Sequence, residues 1–453
     1  MKKELRIISP TGHLGFAPMK LESFKIGLKE NPDYICADSG SDDIGPTPLG
    51  KDSQASPVKW QEHDLENILL ACRELKIPMI IGSACDTGTN RGVDLYVSII
   101  ERLARKHGLS KFRLAYIYSQ QSKEFILDRL KKGIEIKGLD GRPPLTEEDV
   151  KKTDNIVAVM GVHPIIEALN EGADVIICGR SSDVAIFAAP AIKEGFPKAL
   201  SYYLGKVLEC ASFCAEPYMG KESVLGIITH EDVKVKALHP NARCTIASVA
   251  GHAMYERANP FYEYFVGGRL NMRNCRYEQY DEKTTRITGP VFEPAERYFV
   301  KLEGAGKVGE RYFGIAGIRD PYTIKNLDKV IEWAKNEVRS EFGKEGYQLH
   351  FHVFGKNGVM EELEPIKHIT PHEVGIVVEG VAPTEEMAES ITITATRQIF
   401  YARLPEVKGT AGGCAYIIDE VLKGTPAYMW TMNHAMQVDD PMELFKVNMI
   451  EIG

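Results

Sequence analysis

Through the first 200 residues, short apolar runs alternate with stretches of helical spacing, and each run ends in a small polar cluster. No other feature limits the possible folds so strongly. Run 5–9 ends at Pro10-Thr11-Gly12, run 33–37 at Asp38-Ser39-Gly40-Ser41, and run 78–81 at Gly82-Ser83-Ala84-Cys85-Asp86. Run 112–118 ends at Ser119-Gln120-Gln121, run 156–160 at Gly161-Val162-His163-Pro164, and run 174–178 at Gly179-Arg180-Ser181-Ser182-Asp183. Helical spacing covers 21–29, 62–75, 93–107, 123–131 and 164–170. Unbroken apolar strands are those buried on both faces. The alternation therefore predicts an α/β fold with a mostly parallel sheet and helices on both faces. The polar clusters all follow strand ends, at the edge where open α/β sheets bind ligands.

Near residue 290 the rhythm changes. Segments 297–302 and 311–316 read as neighbouring strands joined by the Gly-rich Glu303-Gly304-Ala305-Gly306. A helix over 324–342, strands over 347–354 and 373–381, and a helix over 384–401 complete a smaller α+β, ferredoxin-like region. The expected domains are 1–285, carrying the ligand cleft, and 286–453. A length of 453 residues suits two or three domains.

Hydrophobic residues at 44% and charged residues at 26% exclude disordered and fibrous classes. With 55 Lys+Arg against 63 Asp+Glu, the net charge of -8 argues against nucleic acid as the main partner. No apolar run reaches the 18 or so residues of a membrane span. The N-terminus lacks the apolar core of a signal peptide and reads as the first strand. Nine cysteines, an odd number, then point to reduced thiols and a cytoplasmic location.

The strand-end clusters hold the candidate chemistry. Asp38, Ser39, Gly40, Ser41 and Asp43 offer carboxylates and hydroxyls for a substrate or for Mg²⁺, the metal such ligands suit, against the plainer reading of a solvated, helix-capping loop. Ser83 lies in a turn of small residues able to present backbone N–H groups to an anion. Cys85 beside it reads as a buried thiol rather than a nucleophile. His163 at its corner is a candidate acid or base, or a histidine bonded to local backbone. Arg180, emerging from a buried strand, suits a carboxylate or phosphate. The rival is an internal clamp with Asp183, and the ligand role is favoured because of its topological place. A helix over 200–214 puts Lys206 and Glu209 off its apolar face as a surface or cleft pair, and packs Cys210 and Cys214 in the core. His350 and His352 share one face of a strand, which reads as a polar sheet face more than as a metal site.

The strings ADSGSDDIGPTPLG, IIGSACDTG, DVIICGRSSDVAIFAAPAIKEGFP, GKVLECASFCAEP, VKLEGAGKVGERYFGIAGIRDP and DPMELFKV, in this order, resemble the acyclic terpene utilisation (AtuA-like) family, long carried as a domain of unknown function. The resemblance runs through nearly the whole chain. Its strand-end motifs match at Asp38, Gly40, Ser41, Asp43, Gly45 and Pro46, and again at Gly179, Arg180, Asp183 and Ala185. The chain departs at Cys85 and Asp86, where the family commonly has glycines, and over 410–415. Family members often carry, or are encoded beside, a short additional α/β module. The chain reaches Gly453 without it, which implies a small partner subunit or a homo-oligomer. The family name reflects terpenoid-acid catabolism, so the resemblance implies acid or acyl-CoA metabolism.

The favoured expectation is an enzyme of organic-acid or acyl-CoA catabolism, a lyase of the hydratase/dehydratase type. In it Asp38, Asp43, His163 and Asp183 exchange protons. Ser39, Gly40, Ser41, Ser83, Ser119, Arg180 and Ser181 bind a small carboxylate or acyl-CoA. The alternative is a non-catalytic subunit that presents such an acid to a partner enzyme.

Overall fold

The computed structural model of the protein describes residues 2–368, 370–406, 414–416 and 420–453. Of the departure from the family over 410–415, residues 410–413 lie outside them. The chain divides into two compact units, Met1–Gly306 with Trp430–Gly453, and Lys307–Met429.

The first unit is built on a ten-stranded sheet. At its centre Glu4–Ser9, Tyr34–Gly40, Met79–Asp86, Val175–Cys178 and Phe112–Ile117 lie side by side in that order, all parallel. These are the apolar runs expected to form a parallel sheet. Antiparallel strands extend both edges, so the sheet is mixed, with four parallel and five antiparallel pairings, and parallel only at its centre. Val224–Thr229, Val233–Ala237, Thr284–Thr288 and Arg276–Asp281 follow on from Glu4–Ser9, and Val447–Ile452 closes the other edge against Phe112–Ile117.

Side chains alternate across a strand, so each central strand feeds two cores. Ile8, Ile35, Ile81, Leu114 and Ile177 pack with Leu65, Ile68 and Leu69 of the helix Val58–Leu75 and with Tyr96, Ile100 and Leu103 of the helix Asn90–His107. Ile7, Cys36, Ile80, Ala115 and Ile176 face Ile165, Phe187, Leu204 and Val207 on the other side. Most of these residues are fully buried, and each large one contributes about 1.5–3 kcal/mol by leaving water.

Three expected elements differ. The run 156–160 gives the strand Asn155–Ala158, but it stays out of the parallel sheet. It pairs antiparallel with Gln120–Gln121 and with residues 302–305. The expected strands 297–302 and 311–316 are one strand, Tyr298–Ile318. The glycines between them do not turn the chain: Gly304 and Gly306 admit close neighbours, where a Cβ would meet Thr153 at 2.8 Å and the Lys152 carbonyl oxygen at 1.9 Å. The helix expected over 200–214 is broken into Lys198–Leu208 and the 3-10 turn Ala211–Cys214, with Ala211 at φ 45°.

In the second unit, the helices Leu327–Phe342 and Glu385–Tyr401 and the strands Gln348–Phe354 and Val374–Ala382 form the expected α+β arrangement. Val374–Ala382 pairs antiparallel with both Gln348–Phe354 and residues 310–318. His350 and His352 share a face there, and His352 Nε2 lies 2.9 Å from Glu379 Oε2.

Candidate functional site

The parallel strands bring their polar ends together because each turn is forced tight. Ser83, Cys85 and Asp86 have positive φ values of 47°, 60° and 69°. Gly88 has no Cβ to collide with the Arg180 backbone nitrogen, which would lie 2.1 Å away. Gly179 likewise lets Ser119 approach. Ser119 Oγ accepts from the Arg180 backbone N–H at 2.6 Å and donates to the Gly88 carbonyl at 3.0 Å. Ser119 thus holds backbone, and Arg180 is delivered to one place.

Arg180 is 7% exposed and fully engaged. Its Nε donates to Glu303 Oε2 at 2.8 Å, Nη2 to Asp42 Oδ1 at 2.8 Å, and Nη1 to Ser83 Oγ at 3.2 Å. Asp183 is a more distant partner, 3.9 Å from Nη1. Lys301 adds contacts to Asp42 at 3.0 Å and Glu303 at 2.8 Å. Burial would discharge Arg180, but Glu303, Asp42 and Asp183 keep it firmly protonated. Burial alone would raise the Asp42 pKa, yet Arg180 and Lys301 outweigh it and hold the carboxyl at about 2.

Asp38 lies behind this network, 2% exposed. Its Oδ2 accepts from the Gly40 N–H at 3.0 Å, while its buried Oδ1 has no partner. Burial, reinforced by Asp183, pushes its pKa well up, against a smaller pull from Arg180. A protonated carboxyl is the form that suits such a site. Asp183 is raised as well, by burial first and by Asp42 and Glu303, with Arg180 opposing. Its side chain is 40% open, so it sits deep but faces an open space.

That space is a cavity of about 1000 Å³. Arg180, Ser181, Asp183, Asp42, Lys301 and Glu303 form one wall. Lys206, Glu209, Tyr255, Arg257 and Glu263 form another, and Tyr264, Phe265, Val266 and Phe299 add aromatic and apolar surface. Lys206 is buried between Glu209 and Glu263, with Arg257 paired to Glu263 at 2.7 Å. Burial would discharge Lys206, but these two carboxylates keep it charged. Burial raises the Glu209 carboxyl to about 8 even with Lys206 beside it, because Asp183 and Glu263 add repulsion.

Of the cations on the cavity, Arg180, Lys206, Lys301, Arg257 and Arg269 are each paired with carboxylates. Lys137 and Arg297 differ. Both are exposed, Lys137 lies over the Phe299 ring at 3.8 Å, and Arg297 donates to Gln437 Oε1 at 3.2 Å. Among the described residues, neither meets a carboxylate.

Of the residues picked from sequence, Arg180, Ser181 and Asp183 line the cavity, with Asp38 and Ser83 directly behind Arg180. Ser39 faces the other core and bonds Tyr96 and the Leu14 carbonyl. Gly40 packs against Ser83 and Asp86. Ser41 caps a 3-10 turn by accepting from the Asp43 N–H, and it is Asp42 of that turn that reaches Arg180. His163 starts the helix Val162–Asn170 and packs edge-on against Tyr298, off the cavity wall. Burial, with Lys198, lowers its pKa, and its Nδ1 has no partner.

Among the described residues, Asp38, Asp43 and Asp183 do not form a cluster close enough to share one ion; Glu209, Cys210 and His252 do. Cys85 is buried and its thiol is pushed up to about 11, first by burial. All nine cysteines are free thiols. No helix among the described residues is long and apolar enough to cross a membrane.

Sequence reading missed Glu303, Lys301, Lys137 and Arg297. A signal existed for the first two. Val300 and Leu302 are buried on one face of their strand, so Lys301 and Glu303 occupy the opposite face together.

No curated protein and no solved structure matches the chain. A family model, described as acyclic terpene utilisation family protein AtuA, matches residues 5–439. That span holds both the parallel sheet and the residues around Arg180, and the chain belongs to the acyclic terpene utilisation (AtuA) family.

Proposed function

We propose that this chain is an enzyme of organic-acid or acyl-CoA catabolism, a lyase of the hydratase/dehydratase type. Membership of a terpene utilisation family supports the substrate class. The observation that carries the reading is Asp183 on the wall of a roughly 1000 Å³ cavity, with the buried carboxyl of Asp38 behind it, where burial and Asp183 push its pKa up. The cavity is lined largely by charged side chains, and Val159, Phe265, Val266 and Phe299 give it an apolar surface on which a branched acyl chain can lie.

Hydration of an α,β-unsaturated acyl group needs a base for water and an acid for the α-carbon. Asp183 takes the proton from water as the water oxygen bonds to the β-carbon, and it returns that proton to the α-carbon, which regenerates the carboxylate. Dehydration runs the same steps backwards. Arg180 is saturated by Glu303 and Asp42, so its work is to hold charge at the wall. The anionic end of the substrate goes to Lys137 and Arg297, where positive charge is not already matched.

The test is calorimetric titration with branched unsaturated acids and their CoA thioesters, followed by assay for loss of the conjugated double bond. Asp183→Asn should keep binding and lower turnover by about 10²–10⁴-fold. Tight binding with no turnover in the parent, with or without an added small subunit, would turn the reading into an acid-presenting accessory protein. Binding of neither acids nor thioesters would end it.

A further inference from the structure

Beside the cavity lies a cluster that the proton chemistry above does not use. The helix Lys198–Leu208 ends at Glu209, and the chain turns at Cys210 into Ala211–Cys214. The helix Ile246–Met254 places His252 against that turn. One ligand atom each from Glu209, Cys210 and His252 lies within 4.8 Å of the other two.

His252 is 6% exposed, and among the described residues its Nε2 has no hydrogen-bond partner. A buried polar nitrogen with nothing to bind is an anomaly that calls for a partner. The ring is held by stacking on Tyr255 at 4.8 Å. The Tyr255 hydroxyl is also 3.2 Å from Cys210 Sγ, and Lys206 contacts Glu209 Oε1. Each of the three groups therefore has a neighbour that fixes its direction, as metal ligands do.

We infer that Glu209, Cys210 and His252 form a site for a divalent transition metal of the Zn²⁺ type. The mixed carboxylate, thiolate and imidazole set excludes Mg²⁺ and Ca²⁺, which take oxygen ligands, and suits Zn²⁺. Tetrahedral Zn²⁺ places such ligand atoms about 3.3–3.7 Å apart, so the cluster closes by roughly 1 Å on the ion. Binding replaces the Cys210 S–H bond by an S–metal bond and releases the proton to buffer. Three protein ligands leave a fourth position open. Of the three groups Glu209 lines the cavity, which puts the site beside that space. The site stands whether or not the cavity takes acyl groups.

The experiment uses the full chain, stripped with chelator and titrated with Zn²⁺ against a chromophoric chelator. One ion per chain is expected. Cys210→Ser and His252→Ala should each weaken it by at least about tenfold, while Cys214→Ser, the thiol one turn away, should leave it unchanged. On the unaltered chain, Co²⁺ should give a thiolate charge-transfer band, and X-ray absorption of the Zn²⁺ form should show one sulfur neighbour. Zn²⁺ affinity indifferent to Cys210→Ser and His252→Ala overturns the site. So does Co²⁺ bound without a thiolate band, a result that needs no variant to fold.

Discussion

Arg180 and Lys206 are both buried cations on the same cavity, and their surroundings differ. Around Arg180 the donors find acceptors. Glu303, Asp42 and Ser83 take its side-chain nitrogens, Lys301 balances the added carboxylates, and Ser119 fixes the backbone beneath. Around Lys206 the charges are paired, but the groups just beyond are not: His252 Nε2 is buried without a partner, next to Glu209 and Cys210. A filled network carries stability and shapes a wall. An incomplete one marks where something else binds. The guanidinium of the strongest local motif in the sequence is thus matched, and the unsatisfied atom on its side is Asp38 Oδ1 behind it.

The largest effect that tests this contrast is Arg180→Ala. It leaves buried Glu303 with only Lys301, and removing one member of a buried ion pair costs about 3–5 kcal/mol. Urea unfolding should show that loss, while affinity for acids, measured where the variant is folded, should change little. A variant as stable as the parent that no longer binds acids would restore Arg180 as the ligand anchor.

The second test is His252→Phe, assayed in chelator. Replacing a buried unsatisfied nitrogen by carbon of similar shape removes a penalty of about 1–3 kcal/mol. The metal-free variant should therefore match or exceed the parent in urea unfolding, despite losing a fully buried ring nitrogen. Added Zn²⁺ should stabilise the parent and leave the variant where it was. A marked loss of stability in chelator would mean that Nε2 already has a partner, and the contrast with Arg180 would fail.

The third test is the pH dependence set by Asp38. Its folded pKa lies well above the ordinary 3.8, because burial and Asp183 disfavour the charged form. In that range the folded chain holds a proton that the unfolded chain has released. The stabilisation is full below about 3.8 and is lost as pH rises through the folded value. Its slope is at most about 1.4 kcal/mol per pH unit. Stability of the parent relative to Asp38→Asn should fall as pH rises from 4, measured as the difference in urea midpoints. A difference that stays flat from pH 4 to 8 would show that Asp38 is ionised throughout.

These contrasts explain what could be read from the chain alone. The parallel centre of the sheet was legible because strands buried on two faces must be apolar throughout, as Val175-Ile176-Ile177-Cys178 is. The strand ends marked the cavity edge for the same reason, and Arg180, Ser181 and Asp183 were found there. The partners of Arg180 were not found. Glu303 sits in a glycine-rich segment that looks like a connection, and only the intimate contact of Gly306 with Lys152 shows why a strand needs glycine there. The 200–214 segment misled differently. Helical spacing continued past Leu208, so Lys206 and Glu209 looked like a surface or cleft pair, whereas the chain breaks there and buries both. Local periodicity carries no information about a partner brought in from His252, 42 or so residues on.

The smallest effect belongs to the cavity mouth. Among the described residues, Lys137 and Arg297 are exposed and meet the Phe299 ring and Gln437 without a carboxylate. They are the cations that neither network has neutralised, so an anionic group arriving at the cavity should settle on them. Exposed charges act weakly, because water screens them and long side chains must be ordered. Each alanine variant should weaken acid or thioester binding about two- to fivefold, and the double variant should weaken it more than either alone. Salt separates this from a packing effect. Raising ionic strength shortens the Debye length from about 10 Å at 0.1 M to about 3 Å at 1 M, so the parent should lose affinity toward that of the double variant. Calorimetry at low and high salt on the four proteins settles the point. Equal affinity of parent and double variant at low salt would place the anion elsewhere and return the search to the Arg180 wall.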